Sequence, residues 1–487
     1  MPPRPFARLA CAAVIGLLAP ALHARQLSTG QLLAAMRQPN ELQRYLYLLQ
    51  AMPRVRPADK PLAQQYFAFS ESELGLYGEA VRDFPLKTHP RNELVLPTPP
   101  TWEAVDAADT IVRLAADRRV VMINEAHHDA HTRQLTLALL PRLRALGFTH
   151  LAIEALIEDN ATLAQRGYPT SASGTEYLRE PVYGELVREA LRLGFVLVPY
   201  DPVERNPQDR ELLQAQRLYR LLAQDPKARL LVHAGYAHID QAPGRLGPVV
   251  PMAARLHALS GLDILSIDQT EVREEEPFNE LQAFRSVQNA VRDGEAFKGV
   301  PQTQLAAPAD PHAPVRNAYQ QIIDSFHPTR PVVLRRIADG ALWSARPRLY
   351  NVDVILPPAN QHQSTYVHDR VLSLNVDGHT VIALPPAGDG HRPDWLSLDG
   401  QRMPLAIGAA DLCGGVLPCL VEAHYANEPD AAIAADRYVF LEGRANNALW
   451  LRPGAYRLRS LDATGKVLAE RNVRVVASGG AGATARP

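Results

Sequence analysis

At 487 residues the chain is longer than one ordinary core accommodates, and two or three domains are expected. Its 46% hydrophobic and 21% charged content excludes a disordered protein. With 51 basic against 52 acidic residues and no basic tract, the composition argues against a nucleic-acid partner.

Taken from the N-terminus, Arg4 and Arg8 precede the apolar stretch "LACAAVIGLLAPALHA", which ends in two small-residue patterns, Ala19–Ala21 and Leu22–Ala24. A spanning helix needs about 20 apolar residues, and this run is shorter and contains Pro20 and His23. Residues 1–24 therefore read as a cleaved signal peptide, and Cys11, at the front of the apolar run, does not fit an acylation site. No later segment has about 18 uninterrupted apolar residues. The expected product is periplasmic or secreted, without a membrane span after cleavage.

Residues 25–84 show apolar spacings of three and four and are predicted to form a helical cap. Within it Leu74, Gly75, Tyr77, Ala80 and Phe84 are spaced like half of a tetratricopeptide unit. Such a cap either packs on the next domain or binds a peptide. Residues 85–100 are proline-rich and read as a linker.

An α/β domain is predicted over residues 101–359. Apolar, β-branched runs at 119–124, 149–156, 195–201, 228–235 and 262–268 alternate with helical patterns at 131–147, 182–194, 208–224 and 252–261. Strands this apolar imply a parallel sheet covered by helices on both faces. Gly147, Gly194 and Gly261 stand where helices hand over to strands. The acidic "EVREEEPFNE" within residues 271–330 reads as solvated surface. Residues 360–478 change to short strands cut by turns, with "DATG" as a hairpin turn, and suggest an antiparallel β-sandwich-like domain before a flexible tail at 479–487. Cys413 and Cys419, separated by five residues including two glycines and a proline, are expected to form a local disulfide.

Ligands of an open parallel sheet bind at the carboxyl ends of its strands. Those ends deliver Asn124, Glu125, His127 and His128, then Glu154, then Tyr200 and Asp201, then His233 and His238, then Asp268. The strand starts carry no matching set of acids and imidazoles. Taken singly, Glu125 reads equally well as an acid at a helix start, His233 as a core histidine, and His128 as surface. Glu154 closes a buried strand, where an unpaired carboxylate is costly. His127 and His131, four apart, face one way if a helix begins by residue 127, a spacing that can hold a metal. Arg179 and Tyr183, just before a predicted helix, and Asp201 are candidate substrate-orienting groups.

"VVMINEAHHDAH", "THLAIEAL" and "LLVHAGYAHI" together resemble the erythromycin esterase, ChaN-like and TIKI/TraB superfamily over about residues 115–270. Its members carry Gly-Glu-x-His after a first strand, Glu after a second, and Gly-x-x-His after a later one. Glu125 and His127, Glu154, and Gly235 with His238 match in that order. Asn124 stands where glycine is usual, and asparagine tolerates a left-handed turn nearly as well. The resemblance implies catalytic roles for His127, Glu125, Glu154 and His238, with His127 as general base. It also leaves open a divalent metal, Zn or Mn, on His127, His131, Glu154 and His238, and a haem on His128 or His131.

The chain lacks a Gly-x-Ser-x-Gly elbow, so no serine intermediate is expected. The sequence thus points to an exported hydrolase acting on an ester, lactone or amide bond of a small-molecule or peptide substrate. The alternative is a haem- or metal-binding protein of ChaN-like type; an envelope protein held by the cap or β domain is a further candidate partner. The long polar segment between Asn160 and Pro181 is expected to set specificity.

Overall fold

The computed structural model describes residues 27, 29–35, 40–85, 94–202, 204, 206–274, 317–359, 372–376, 379–383, 392–441, 443 and 445–477. The expected signal peptide, half of the proline-rich segment at 85–100, most of the acidic segment and the C-terminal tail lie outside these residues.

Helices α1 (Thr29–Ala35), α2 (Glu41–Ala51), α3 (Lys60–Glu73) and α4 (Tyr77–Asp83) come first. Asn40 caps α2 by accepting from Gln43 N, and α3 and α4 are joined at Gly75 with φ 77°. The alternating region then runs through β1 (Trp102–Asp106), α5 (Ala107–Ala115), β2 (Val120–Glu125), α6 (His131–Ala145), β3 (His150–Ile153), α7 (Asn160–Arg166), α8 (Pro181–Arg192) and β4 (Val196–Pro199). It continues with α9 (Pro207–Gln224), β5 (Leu230–Gly235), α10 (Met252–Ser260), β6 (Ile264–Asp268), α11 (Ala318–Phe326), β7 (Val332–Arg336) and β8 (Val352–Asp353).

Six of these strands form one parallel sheet in the order β4-β3-β5-β2-β6-β8. Its two faces sort by residue parity. Val121, Ile123, Leu151, Ile153, Leu231, Leu265 and Ile267 pack under α5, α6 and α8, while Val120, Met122, Ala152, Leu230, Val232 and Ile264 pack under α9 and α10. Each of these Val, Leu, Ile and Met side chains, fully removed from water, contributes about 1.5–3 kcal/mol. Burial on both faces is why these strands read as unbroken apolar runs. The sequence reading missed two pairings: β8 extends the sheet beyond β6, and β1 pairs antiparallel with β7 outside it.

The C-terminal region holds β9 (Leu372–Val376), β10 (His379–Ala383), β11 (Met403–Gly408), α12 (Ala409–Leu412), β12 (Cys419–Tyr425), β13 (Asp436–Phe440), β14 (Asn446–Leu451), β15 (Gly454–Leu461) and β16 (Val467–Val475). A four-stranded antiparallel sheet, β13-β12-β15-β16, and the β11-β14 pair share one core. Gly465, at φ 83°, closes the expected "DATG" hairpin through its N–H to Asp462 O at 3.0 Å. Cys413 and Cys419 are joined.

The leading helices complete that C-terminal core. Leu42, Tyr45, Leu46, Leu49 and Phe67 pack with Leu420, Val439, Leu449 and Tyr456. The C-terminal sheet in turn docks on α8: Arg188 makes a forked pair with Glu428 at 2.9 and 2.6 Å, and Tyr425 OH donates to Glu185 at 3.0 Å. Residues far apart in sequence therefore frame the parallel sheet on one side.

Candidate active site

Strand register brings the candidate acids together. Glu125 lies beside Gly235 in the β2–β5 pair, and Ile153 beside His233 in the β3–β5 pair, which leaves Glu154 one position further at the same edge. The chain then turns sharply after β2, with Asp129 N donating to Ala126 O at 2.8 Å, before α6 begins at His131. His127 sits in that turn.

His127 Nδ1 is 2.9 Å from Glu125 Oε1. Glu125 is itself clamped by Arg133 Nε, which donates to Oε2 at 2.6 Å, and Arg133 also reaches Glu180 at 3.1 Å and His127 O at 2.9 Å. Burial alone would raise the Glu125 pKa; the Arg133 guanidinium, with His127 and His233 beside it, outweighs burial and holds the carboxyl well below its usual range. An ionised Glu125 accepts from Nδ1–H, so the lone pair of His127 is on Nε2. That Nε2 crowds Gly235, where any Cβ would collide with the imidazole and come within 3.1 Å of Glu154 Oε2.

Glu154 joins this pair to a second cluster. Its Oε2 accepts from Gly235 N, and its Oε1 accepts from Arg210 Nη2 at 2.7 Å. Arg210, in the first turn of α9, also makes a fork with Asp201 at 2.9 and 2.7 Å. His238 stands between two carboxylates, Nε2 at 3.4 Å from Glu154 and Nδ1 at 2.6 Å from Glu211. The Glu211 contact is the shorter of the two. Arg210 Nη1 lies 3.3 Å from His238 Nε2.

With His238 neutral, Arg210 is the described cation that pairs with Glu154 and Asp201, and Glu211 adds a third carboxylate beside the ring. The protonated ring is the better-balanced state: burial disfavours it, but Glu154 and Glu211 push its pKa up to about 10. Burial also opposes ionisation of Glu154, and His238, His127 and Arg210 together hold its carboxyl well below the usual range.

An aromatic roof covers His127. Tyr177 stacks on the imidazole at 3.9 Å, and Tyr236 and Phe69 meet it edge-on at 5.1 and 6.2 Å. Tyr236 adopts φ 43°, uncommon for a residue with a side chain, and this bend turns its ring toward the site. Phe69 comes from α3, and Phe84, just past α4, stacks on His128 at 3.6 Å. The helical cap therefore contributes to the site, and 11% of the His127 side chain stays accessible.

Sequence reasoning placed Glu125, His127, Glu154 and His238 together, and the structure brings them together. Other assignments change. His131 does not join His127, because α6 starts four residues after it; the His131 ring stacks on Trp395 and burial lowers its pKa to about 3. Tyr183 is fully buried beneath the Arg133 guanidinium and edge-on to His233, so it is a wall behind Glu125 and not a substrate contact. Asp201 faces Arg210 and Gln214, a positioning role. Arg179 shares its 3₁₀ turn with Tyr177, and its Nε and Nη1 are buried without a hydrogen-bond partner among the described residues. Asn124 makes no left-handed turn. It lies within β2, one residue before its end, and binds Thr270, Tyr236 O and Asp268, with Gln269 N donating to its Oδ1 at 2.7 Å.

The residues do not fit a divalent cation. Once His131 is elsewhere, His127, Glu154 and His238 remain, and the Arg210 guanidinium and a protonated His238 already hold the positive charge between the carboxylates. Among the described residues no group of three or more His, Cys, Asp or Glu is arranged to hold a metal. Haem does not fit either, since His128 and His131 are buried within aromatic stacks.

Arg133, Arg210, Glu211, Tyr177, Tyr236 and Phe69 were not found from the sequence. The one available signal was the basic and acidic first turns of the helices that follow β2 and β4.

No family model matches the chain, and no curated protein matches it. Solved structures similar to parts of it include the type III effector HopBA1, at 17% identity and TM-score 0.25, covering 36% of this chain and 87% of that one. RRSP, a MARTX toxin effector domain from Vibrio vulnificus, is similar at 20% identity and TM-score 0.26, over 34% of this chain and 36% of that one. The C-terminal region of Pasteurella multocida toxin is similar at 14% identity and TM-score 0.23, over 34% of this chain and 25% of that one. At these TM-scores the likeness carries no argument about function.

Proposed function

We propose that the protein is an exported hydrolase that activates water against an ester, lactone or amide bond, with the site plan of the erythromycin esterase, ChaN-like and TIKI/TraB superfamily. The observation that supports this most directly is the His127–Glu125 pair at 2.9 Å, locked by Arg133 at a sheet edge where Glu154 and His238 also converge.

A carboxylate on Nδ1 fixes the tautomer and orientation of an imidazole and makes its Nε2 a competent base near neutral pH. His127 Nε2 takes a proton from water, and the water oxygen adds to the carbonyl carbon. The same proton then passes to the leaving oxygen or nitrogen as the C–O or C–N bond breaks. Export rests on the N-terminal "LACAAVIGLLAPALHA"; no helix among the described residues is long and apolar enough to cross a membrane.

The test is turnover of a panel of 4-nitrophenyl esters, a macrolactone and a peptide by the wild-type protein and by His127→Ala. Loss of a general base costs about 10²–10⁴-fold. Because the ring is a roofed side chain outside the sheet cores, Tm should move by only a few degrees. Activity retained in His127→Ala, or lost together with folding, would count against the proposal.

A further inference from the structure

The described groups that donate into this edge include the Arg210 guanidinium, and its five N–H groups can be accounted for one by one. Nε–H goes to Asp201 Oδ1 at 2.9 Å, and the two Nη2 protons go to Asp201 Oδ2 and Glu154 Oε1, both at 2.7 Å. Nη1 lies 3.3 Å from His238 Nε2, and a protonated His238 cannot accept from it. The Nη1 protons therefore have no acceptor among the described residues, and the side chain is 29% exposed, against 2% for Glu125 and 6% for Glu154. Three anchored bonds hold the guanidinium still and leave Nη1 available to a ligand.

Its placement relative to the base is also set. Glu154 lies between the two, with Oε2 on the Gly235 side next to His127 Nε2 and Oε1 on Arg210. A carbonyl attacked by water from His127 therefore has the guanidinium across the same carboxylate. A preorganised cation beside the reacting carbonyl is what a developing oxyanion requires.

We infer that Arg210 is a catalytic residue whose Nη1 edge binds the substrate oxygen that becomes negatively charged when water adds, so that the site carries its own fixed cation and needs no divalent metal. The inference rests on the hydrolase reading above. In the step, the water O–H bond breaks with its proton going to His127 Nε2, the water oxygen bonds to the carbonyl carbon, and the C=O π pair moves onto the oxygen facing Arg210. Collapse returns that pair, expels the leaving group, and gives it the proton from His127. The ligand class follows: a carbonyl substrate, or a tetrahedral anion that mimics its intermediate.

The experiment measures turnover and the binding of methylphosphonate, by ³¹P NMR, for the wild-type protein, Arg210→Ala and Arg210→Lys. Arg210→Ala should lose about 10²–10³-fold in kcat, bind methylphosphonate at least about tenfold more weakly, and regain part of its turnover in millimolar guanidinium chloride. A residue that merely braced Asp201 and Glu154 would affect Tm without that rescue. Should Arg210→Ala fail to fold, Arg210→Lys decides: it keeps the charge but loses the fork, and unchanged kcat and phosphonate affinity overturn the inference. Wild-type activity should survive dialysis against EDTA, and a loss restored by Zn²⁺ overturns it as well. If Arg210 governs methylphosphonate binding yet the wild-type protein cleaves no ester, lactone or amide, the hydrolase reading falls and the anion site stands. If the wild-type protein cleaves and the Arg210 variants match it, the reverse holds.

Discussion

Replacing Gly235 by alanine should disable the site through one contact. Gly235 sits at φ −76° and ψ 140°, which alanine adopts without strain, so the backbone imposes no penalty. The obstacle is steric. A Cβ there would fall inside contact distance of His127 Cε1 and Nε2 and 3.1 Å from Glu154 Oε2. Carbon contacts are comfortable near 3.5–4 Å, so the ring must retreat by about 1 Å. That retreat stretches the 2.9 Å contact to Glu125 or disturbs the 3.9 Å stack on Tyr177. Misplacing a catalytic group by about 1 Å costs about 10²-fold, or about 2.7 kcal/mol of barrier. Overpacking should lower stability by about 1–3 kcal/mol. The assay is kcat/KM on an ester that the wild-type protein cleaves, paired with urea unfolding and the ¹⁵N shifts of His127. A variant with unchanged His127 shifts and activity within about threefold of wild type, against the expected 10²-fold loss, would show that the ring does not depend on the missing side chain.

His131→Phe tests the buried imidazole against Trp395. A ring held near pKa 3 when folded and 6.5 when unfolded contributes stability that is whole above pH 6.5 and lost as the pH falls. Asp129, pushed up to about 6 by burial, has the opposite sign, so the comparison must be between the two proteins at each pH. Relative to wild type, the variant should gain about 1.4 kcal/mol per pH unit on acidification below 6.5; parallel urea stability curves at pH 7 and pH 5 would refute it. Changing Cys413 and Cys419 together to serine should cost roughly 2 kcal/mol, since the loop they close is short. The loss should appear as earlier hydrogen exchange around α12 and β12, while exchange in the parallel sheet stays the same; equal loss in the sheet would contradict a local role.

Periodicity alone determined much of this protein. Strands buried on both faces must be continuously apolar, and helices that hand over to them end on Gly147, Gly194 and Gly261, each at positive φ. Five of the six sheet strands and four of the five α-helices between them were therefore legible, as was the edge at which Glu125, His127, Glu154 and His238 meet. β8 was not, because two residues carry no period, and the β1–β7 pairing spans more than 200 residues that no local pattern connects.

The sequence determined which residues arrive at the carboxyl edge, since alternation and strand direction set that locally. Tertiary packing decided what each of them does there. Starting α6 at His131 and not four residues earlier separated two histidines that spacing had joined, and the first turn of α8 pointed Tyr183 inward. Arg133, Arg210 and Glu211 look like ordinary polar residues on their helices. They became the partners of Glu125, Glu154 and His238 only when those helices packed over the sheet. Phe69 reaches His127 from 58 positions upstream for the same reason, because charge balance and burial depend on which elements touch and not on how each one repeats.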